Sequence, residues 1–513
     1  MDPNTQGSNK RIAKNTLILY FRMFLMMAIS LYTSRIILKV LGVEDYGINN
    51  VVGGLVALFS MITGALSVTV GRYITFELGR GDLHRLRTVF STSVVIQCAM
   101  ALFICFVAEV VGVWFLETKI NIPIERLSAA HWVLQCSIIS FMFNLVSVPY
   151  NAAIVAHEKM SAFAYISLID VALRLLIVFM LNIIPFDKLI VYAILQLCVS
   201  MTLRLIYGIY CSRHFWETHF KFVFDKQLIK EMFSLVGWAF WGNGAIVMRD
   251  QGSNMMLNVF CGPAVNAARG VAVQVNTAVY NFTTNFLTAI RPQITKSYSS
   301  GNLTNMHNLL MRGTKYGFFI LLILLMPLCA NVNYVLSIWL VEVPAHTASF
   351  IVLTLIYSMF DCFGNPLVTG VLAQGDIRNY EIALLLLCIF NCVASYLFLR
   401  MGYAPEWVFV MNVVFKVFIV VALVWHSHVK YAFPVRVFLR QTVSRCVAVF
   451  AISYAFVLLF KVNVGSDFAN FVISCLSIAL FTALVICAVG LTRKENKYFA
   501  SLALSRIKKG IRR

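Results

Sequence analysis

Residues 234–259 read SLVGWAFWGNGAIVMRDQGSNMMLNV. The run is long enough to cross a bilayer, which takes about twenty predominantly apolar residues in a helix. Its centre nevertheless carries Arg249 and Asp250, with Asn243, Gln251, Ser253, Asn254 and Asn258 around them. A charge at the middle of a membrane helix costs roughly 2.5–3.5 kcal/mol on insertion scales. A helix that keeps two charges among amides faces protein or water, not acyl chains. It is either a polar seam between helices or the wall of a solvated cavity, and the density of polar groups favours the wall. Neighbours on a helix point about 100° apart, so Arg249 and Asp250 are expected to have separate partners.

The rest of the chain agrees with a membrane setting. Of its 513 residues, 60% are hydrophobic and 12% charged, whereas a soluble domain carries about 25% charged and about 45–50% apolar residues. That excess exceeds what one soluble core can bury, so the chain is expected to be an all-α polytopic membrane protein. The net charge of +20 does not point to nucleic acid, because the basic residues fall in short connections and in the C-terminal tail, the positive-inside pattern. The 13 cysteines are scattered singly. Cys98, Cys105, Cys198, Cys388, Cys392 and Cys475 lie inside apolar runs and are read as small buried apolar residues, not disulfides or zinc ligands. No P-loop, nucleophile elbow or HExxH occurs, and the histidines form no triad, so the chain is not expected to be an enzyme.

Along the whole chain, apolar runs mark about fourteen spans: 16–38, 51–73, 88–111, 131–155, 162–184, 189–211, 234–259, 266–290, 315–332, 347–372, 382–399, 407–426, 442–460 and 468–491. Even-numbered connections carry bases (Arg80, Arg85 and Arg87; Arg213, Lys221 and Lys226; Lys430, Arg436 and Arg440). Odd-numbered ones carry acids (Glu44 and Asp45; Glu117 and Glu125; Asp187; Asp467). The alternation places both termini in the cytoplasm. The basic tail from Arg493 onward is expected to lie along the anionic inner leaflet.

A thin internal repeat accompanies this count. Ile74-Thr75 and Arg80-Gly81-Asp82-Leu83 are matched by Ile294-Thr295 and Ser300-Gly301-Asn302-Leu303. Asp82 and Asn302 are suited to cap a short amphipathic stretch, with Leu83, Leu86 and Phe90, or Leu303, Met306 and Leu310, on one face. The repeat makes spans one to six and seven to twelve two copies, related by an axis along the membrane normal. The expected organisation is a first lobe at 1–215, a second at 216–430, two further helices at 431–492 and a basic tail at 493–513.

Further charges sit inside the spans. Asp170 and Arg174, four apart, share a face and can neutralise each other; they form a structural pair or line a cavity. Arg269 lies towards the outer end of the eighth span, where Gln274, Asn276, Asn281 and Asn285 follow. It can snorkel to the headgroups or clamp a phosphate bidentately. Arg22, about two turns inside the first span, is a cavity candidate, while snorkelling is favoured for Arg35. Arg204, Asp361 and Lys416 read as single intramembrane charges. Asp361 precedes Asn365-Pro366, where a proline can break a helix, so it either binds a coupling Na⁺ or H⁺ or caps a kink.

The order of features resembles the oligosaccharide (O-antigen) flippases of the multidrug/oligosaccharidyl-lipid/polysaccharide exporter superfamily. The residues that carry the likeness are Ser34-Arg35-Ile36 through Leu41-Gly42-Val43-Glu44-Asp45-Tyr46-Gly47, then Arg72-Tyr73, Gly79-Arg80-Gly81-Asp82 and Arg291-Pro292-Gln293-Ile294. The resemblance implies two six-helix lobes around a cation-lined cavity. It also implies movement of undecaprenyl-pyrophosphate-linked oligosaccharide across the bacterial inner membrane for lipopolysaccharide or capsule synthesis. Arg22, Arg35, Arg249 and Arg269 would then hold the pyrophosphate. Asp170, Arg174, Asp250, Asn254, Gln274 and Asp361 would supply polar or coupling groups. Implied partners are the lipid-linked oligosaccharide, membrane lipids, a polysaccharide polymerase and chain-length machinery, with no nucleic acid and no resident cofactor beyond a coupling Na⁺ or H⁺. Two other classes compete. A cation-coupled drug or metabolite exporter would put carboxylates foremost in the cavity. A membrane polymerase or ligase of the same pathway would carry a large outward loop, and this chain has none.

Overall fold

The computed structural model describes residues 15–26, scattered positions between 29 and 52, and most of 59–496. Among the described residues there is no strand, and the elements run as helices joined by short turns. In chain order they are α1 (Asn15–Met26), α2 (Ser60–Arg80), α3 (Leu83–Thr118), α4 (Leu127–Ala156), α5 (Met160–Ile183), α6 (Lys188–His214), α7 (Lys226–Cys261) and α8 (Pro263–Ser299). Then come α9 (Leu303–Ala330), the short α10 (Val332–Trp339), α11 (Thr347–Gln374), α12 (Arg378–Arg400), α13 (Glu406–Tyr431), α14 (Val435–Leu459, with a π turn at Leu439–Val443) and α15 (Asp467–Gly490). Ten of these are long and apolar enough to cross a membrane. The fold is therefore that of an all-α polytopic membrane protein. α2, α7 and α8 are also long but are not among those ten, because polar residues interrupt their apolar runs.

Several elements outrun their sequence limits. α7 has 36 residues and α8 has 37, so at about 1.5 Å per residue each exceeds a hydrocarbon core of about 30 Å. Apolar character ends at the bilayer edge, but nothing in the residues before the α7 span or after the α8 span stops the helix, and Pro292 lies inside α8. Likewise the amphipathic stretches after Asp82 and Asn302 are not separate pieces; they are the first turns of α3 and α9. α11 continues through Pro366, so the expected break is absent.

The repeated tetrads fold alike. Gly81 (φ 79°) and Gly301 (φ 74°) both take the left-handed conformation, which glycine adopts without steric cost and which commonly ends a helix. Asp82 then caps α3, its Oδ1 accepting from the Arg85 N–H at 2.9 Å. Leu86, Phe90, Met306 and Leu310 are fully buried, whereas Leu83 and Leu303 are exposed. The first leucine of each expected face thus lies short of the core.

The chain forms two compact units. The first comprises Met1–Gly244, Thr288–Asn302 and Gly375–Glu381. Its core is built by α2, α3, α4 and α6, with Leu66, Ile74, Leu86, Phe90, Leu145 and Ile154 buried together and the Phe90 and Tyr150 rings edge-on at 5.1 Å. Glu158 (φ 58°), which ends the turn after α4, is buried and accepts from Lys296 Nζ and Gln293 Nε2, each at 3.2 Å. Gly79 of α2 lies so close to α8 that an added Cβ would meet Lys296 Cα at 2.9 Å. At the opposite kind of connection, Arg126 pairs with Asp45 and Asp187, and Asp187 also caps α6.

The second unit comprises Ala245–Leu287, Leu303–Gln374 and Ile382–Arg513. α9 is its central helix, with Met306, Leu310, Leu321 and Leu322 fully buried. It packs on α11, α14 and α15, and the Phe350 and Phe409 rings stack at 4.2 Å between α11 and α13. All thirteen cysteines are free thiols, but Cys98 and Cys198 are exposed, and Cys105, Cys392 and Cys475 are intermediate. The reading as uniformly buried residues is corrected for these, since a thiol on a membrane helix satisfies its apolar preference against acyl chains.

The first residues after α15 are anchored. Glu495 is buried, and its carboxylate accepts from Lys315 Nζ at 2.7 Å, Tyr316 Oη at 2.8 Å and the Thr492 N–H at 2.7 Å. The chain after α15 therefore docks on α9 through Glu495, just beyond Arg493 and Lys494, and most of 493–513 lies outside the described residues. Burial alone would raise the Glu495 carboxyl, but the Lys315 ammonium and the other donors outweigh it and hold it at about 2. Its folded-state value is depressed, so its stabilisation is complete above the ordinary carboxylate range and fades as pH falls from about 4.5 towards about 2. Glu495→Gln should remove on the order of 3 kcal/mol at neutral pH. It should also flatten the acid-side loss of melting temperature of the detergent-solubilised protein across that window.

Candidate functional site

The polar residues of α7 and α8 meet those of α11 and α13 inside the second unit. Arg249 is 7% exposed. Its Nε and Nη2 donate to Asp250 Oδ1 at 3.0 and 2.7 Å, and its Nη1 donates to Tyr357 Oη at 2.6 Å. The expectation of separate partners for Arg249 and Asp250 is corrected: the arginine stem is long enough to fold back across the 100° step. The exposures are unequal, 9% for the Arg249 side chain and 50% for that of Asp250. The cation is thus inside and its counter-ion is at the edge.

Arg269 also turns inward. Its Nη1 donates to Asn254 Oδ1 at 3.1 Å and its Nη2 to the Asp250 carbonyl at 2.8 Å. Snorkelling to the headgroups is therefore not its arrangement. A guanidinium has five N–H donors, and these two bonds leave donors in hand.

Asp361 and Lys416, read separately as single charges, are partners across α11 and α13. Tyr280 of α8 donates its hydroxyl to the same carboxylate, and Asn365 Nδ2 donates to Tyr280 Oη at 3.2 Å. The Tyr357 ring joins the two halves of the network, with the Arg249 guanidinium 4.9 Å and the Lys416 ammonium 5.3 Å from its centroid. Asn276 accepts from Ser358 Oγ at 2.6 Å. Gln274 is exposed.

The remaining candidates lie in the first unit. Arg22 donates to Ser167 Oγ at 3.2 Å and lies 4.5 Å from the Phe163 ring centroid, so α5 holds it. Arg174 Nε donates to Asp170 Oδ1 at 2.7 Å, and Nη1 donates to Gln196 Oε1 at 2.9 Å, tying α5 to α6. Arg204 is not isolated either, since its guanidinium stacks 4.0 Å over Tyr150. Arg35, and with it Leu-Gly-x-x-x-Tyr-Gly apart from Leu41 and Asp45, lies outside the described residues. Among the described residues no three His, Cys, Asp or Glu side chains gather as a metal site.

Tyr280, Tyr357 and Ser358 were not singled out from sequence, and Asn365 only as the residue before Pro366. The signal was present: Arg269, Asn276 and Tyr280 fall at spacings of seven and four on α8, and Tyr357, Asp361 and Asn365 at spacings of four on α11. Such spacings place side chains on one helix face. Within the network three cations (Arg249, Arg269, Lys416) stand against two carboxylates (Asp250, Asp361), an excess of one positive charge. Because Asp250 is half exposed, an entering anion can compete with it for Arg249 while Arg269 offers its spare donors. The arrangement thus sets guanidinium donors beside a half-exposed counter-ion.

Residues 12–300 match the profile of a family described as polysaccharide biosynthesis protein. Among solved structures the chain is similar to a MATE protein in its bent conformation, at 12% identity and TM-score 0.70, covering 84% of this chain and 97% of that one. The straight conformation gives 13% identity and TM-score 0.69 over 83% and 96% of the two chains. A MOP-superfamily transporter from Pyrococcus furiosus, reported with a binding pocket of reverse polarity that suggests a different function, gives 12% identity and TM-score 0.66 over 82% and 96%. No curated protein matches the chain. At these identities the structural likeness is one of fold, whereas the family profile covers more than half of the sequence. The chain is thus a member of the polysaccharide biosynthesis protein family, built on the fold of the MATE and MOP-superfamily transporters.

Proposed function

We propose that the protein is a flippase that carries undecaprenyl-pyrophosphate-linked oligosaccharide across the bacterial inner membrane by alternating access. The product would pass to a polysaccharide polymerase and its chain-length machinery for lipopolysaccharide or capsule synthesis. The observation that carries this reading is the cation excess around Arg249 and Arg269 inside an apolar helix bundle. A pyrophosphate offers several anionic oxygens, which the planar guanidinium fork can take two at a time. The amides Asn254, Gln274 and Asn276 suit sugar hydroxyls, and the polyprenyl tail stays in lipid. A cation-coupled exporter of drugs or metabolites would put carboxylates foremost at the site, where Arg249, Arg269 and Lys416 instead outnumber Asp250 and Asp361.

The test is reconstitution into proteoliposomes holding a fluorescent undecaprenyl-pyrophosphate oligosaccharide, with a membrane-impermeant glycosidase outside. The wild-type protein should expose the inner-leaflet pool, and an uncharged polyprenyl glycoside should move far more slowly. Equal movement of both lipids, or accessibility no greater than in protein-free vesicles, would refute the reading.

A further inference from the structure

Glu381 stands apart from every network described above. It lies in the first turn of α12 and is 7% exposed. Its Oε2 is buried and has no hydrogen-bond partner among the described residues, and no cation there forms an ion pair with it. Its carboxyl fills a notch in α7 left by Gly242, where an added Cβ would fall 1.7 Å from Oε2, 2.5 Å from Cδ and 3.0 Å from Oε1.

The surrounding elements supply no counter-ion. α7 has no charged residue between Glu231 and Arg249, and the residue one turn from Gly242 is Trp238. Arg378, on Glu381's own helix, spends its guanidinium on the Trp238 ring, 5.4 Å from the centroid. Arg72 of α2 lies against Gly375, in the turn before α12. Beyond Glu381 the next charged residue of α12 is Arg400. Asp376 precedes the helix and would only add negative charge. A buried carboxylate without a partner neutralises instead of paying the cost of desolvation. The same side chain, once uncovered, ionises in water.

We propose that Glu381 is a proton-binding site of the transport cycle. It is neutral while its carboxyl occupies the Gly242 notch, and ionised when α7 and α12 part at that point. The coupling role rests on the transporter reading given above; the proton site does not. The sequence offers Asp361 as a coupling carboxylate, but Asp361 is paired and Glu381 is not, so proton exchange has its lower barrier at Glu381.

Infrared difference spectra of the full-length protein in lipid test the site without any cargo. A protonated-carboxyl C=O band is expected at neutral pH, absent from E381Q. In G242A the new Cβ displaces the carboxyl towards water, and the band should move to lower pH while Glu381 is still present. In the proteoliposome assay, a one-unit pH gradient can bias transport by about tenfold per coupled proton. The wild type should respond to the gradient, whereas E381Q should flip cargo at one rate with or without it.

Identical spectra for wild type and E381Q, or an unmoved band in G242A, would overturn the proton site. A band that behaves as expected with gradient-insensitive flipping would overturn the coupling role and leave the flippase reading intact. A titrating band in a protein that moves none of the cargo would sink the flippase reading and the coupling role with it, and leave the proton site standing.

Discussion

Arg249→Ala is expected to abolish polysaccharide export while the protein still reaches the membrane at wild-type abundance. The guanidinium makes three charge-assisted or hydroxyl contacts, two to Asp250 and one to Tyr357, and in the flippase proposed above it would exchange the Asp250 bonds for phosphate oxygens. Hydrogen bonds to charged groups are worth about 1.5–3 kcal/mol each. Losing a bidentate pair therefore costs a factor of roughly 100 or more in cargo capture. Alanine also leaves Asp250 without its neutralising partner at the place where a second anion must enter. Stability should suffer less than transport, because Asp250 is half exposed and can be solvated at its own edge.

Two comparisons make the expectation specific. Arg249→Lys keeps the charge but loses the planar fork, so it should retain export at an intermediate level. Asp250→Asn removes the internal competitor and should tighten cargo binding while slowing release. Export in strains carrying each variant, normalised to protein in the membrane fraction, checks the order wild type, R249K, R249A. Normal export from R249A would remove this arginine from the mechanism.

The reach of the sequence differed between these residues for physical reasons. Apolar runs of bilayer length and the alternation of loop charge identified a polytopic helical protein, because solvation by lipid is imposed residue by residue. The tetrads at 80–83 and 300–303 were legible as equivalents, and the glycine in each takes the positive φ that only glycine adopts freely. Asp170 and Arg174 were legible as a pair because their spacing of four is itself the contact. Arg249 and Asp250 were misread, since backbone geometry alone ignores the length of the arginine stem. The start of α7 was placed too late and the end of α8 too early, because hydropathy reports the membrane edge and not the end of the hydrogen-bonded helix. Asp361 and Lys416 lie on different helices, and no local pattern sets the register of one helix against another.

That last pair gives the second large effect. Lys416→Met is expected to destabilise the protein by about 3–5 kcal/mol, the usual cost of removing one partner from a buried ion pair. Both side chains are shielded, at 11% exposure for Lys416 and 20% for Asp361, so solvent cannot replace the lost ammonium. The Tyr280 hydroxyl would remain as a donor to Asp361 but cannot neutralise it. The double variant Lys416→Met with Asp361→Asn removes both charges, and replacing a buried pair outright is often neutral or stabilising. It should recover most of the loss, giving a coupling energy well above the value of about 0–1 kcal/mol typical of exposed pairs. Thermal unfolding in detergent, run in sodium and in potassium, carries the argument further. In the wild type the lysine already occupies the carboxylate, so the melting temperature should not depend on which salt is present. In K416M the carboxylate is vacant and oxygen-rich, with the Tyr280 hydroxyl beside it and Asn365 bonded to that hydroxyl. Sodium should then raise the melting temperature relative to potassium. A wild-type protein stabilised by sodium would mean that the lysine yields its place during transport, and would restore Asp361 as the coupling residue.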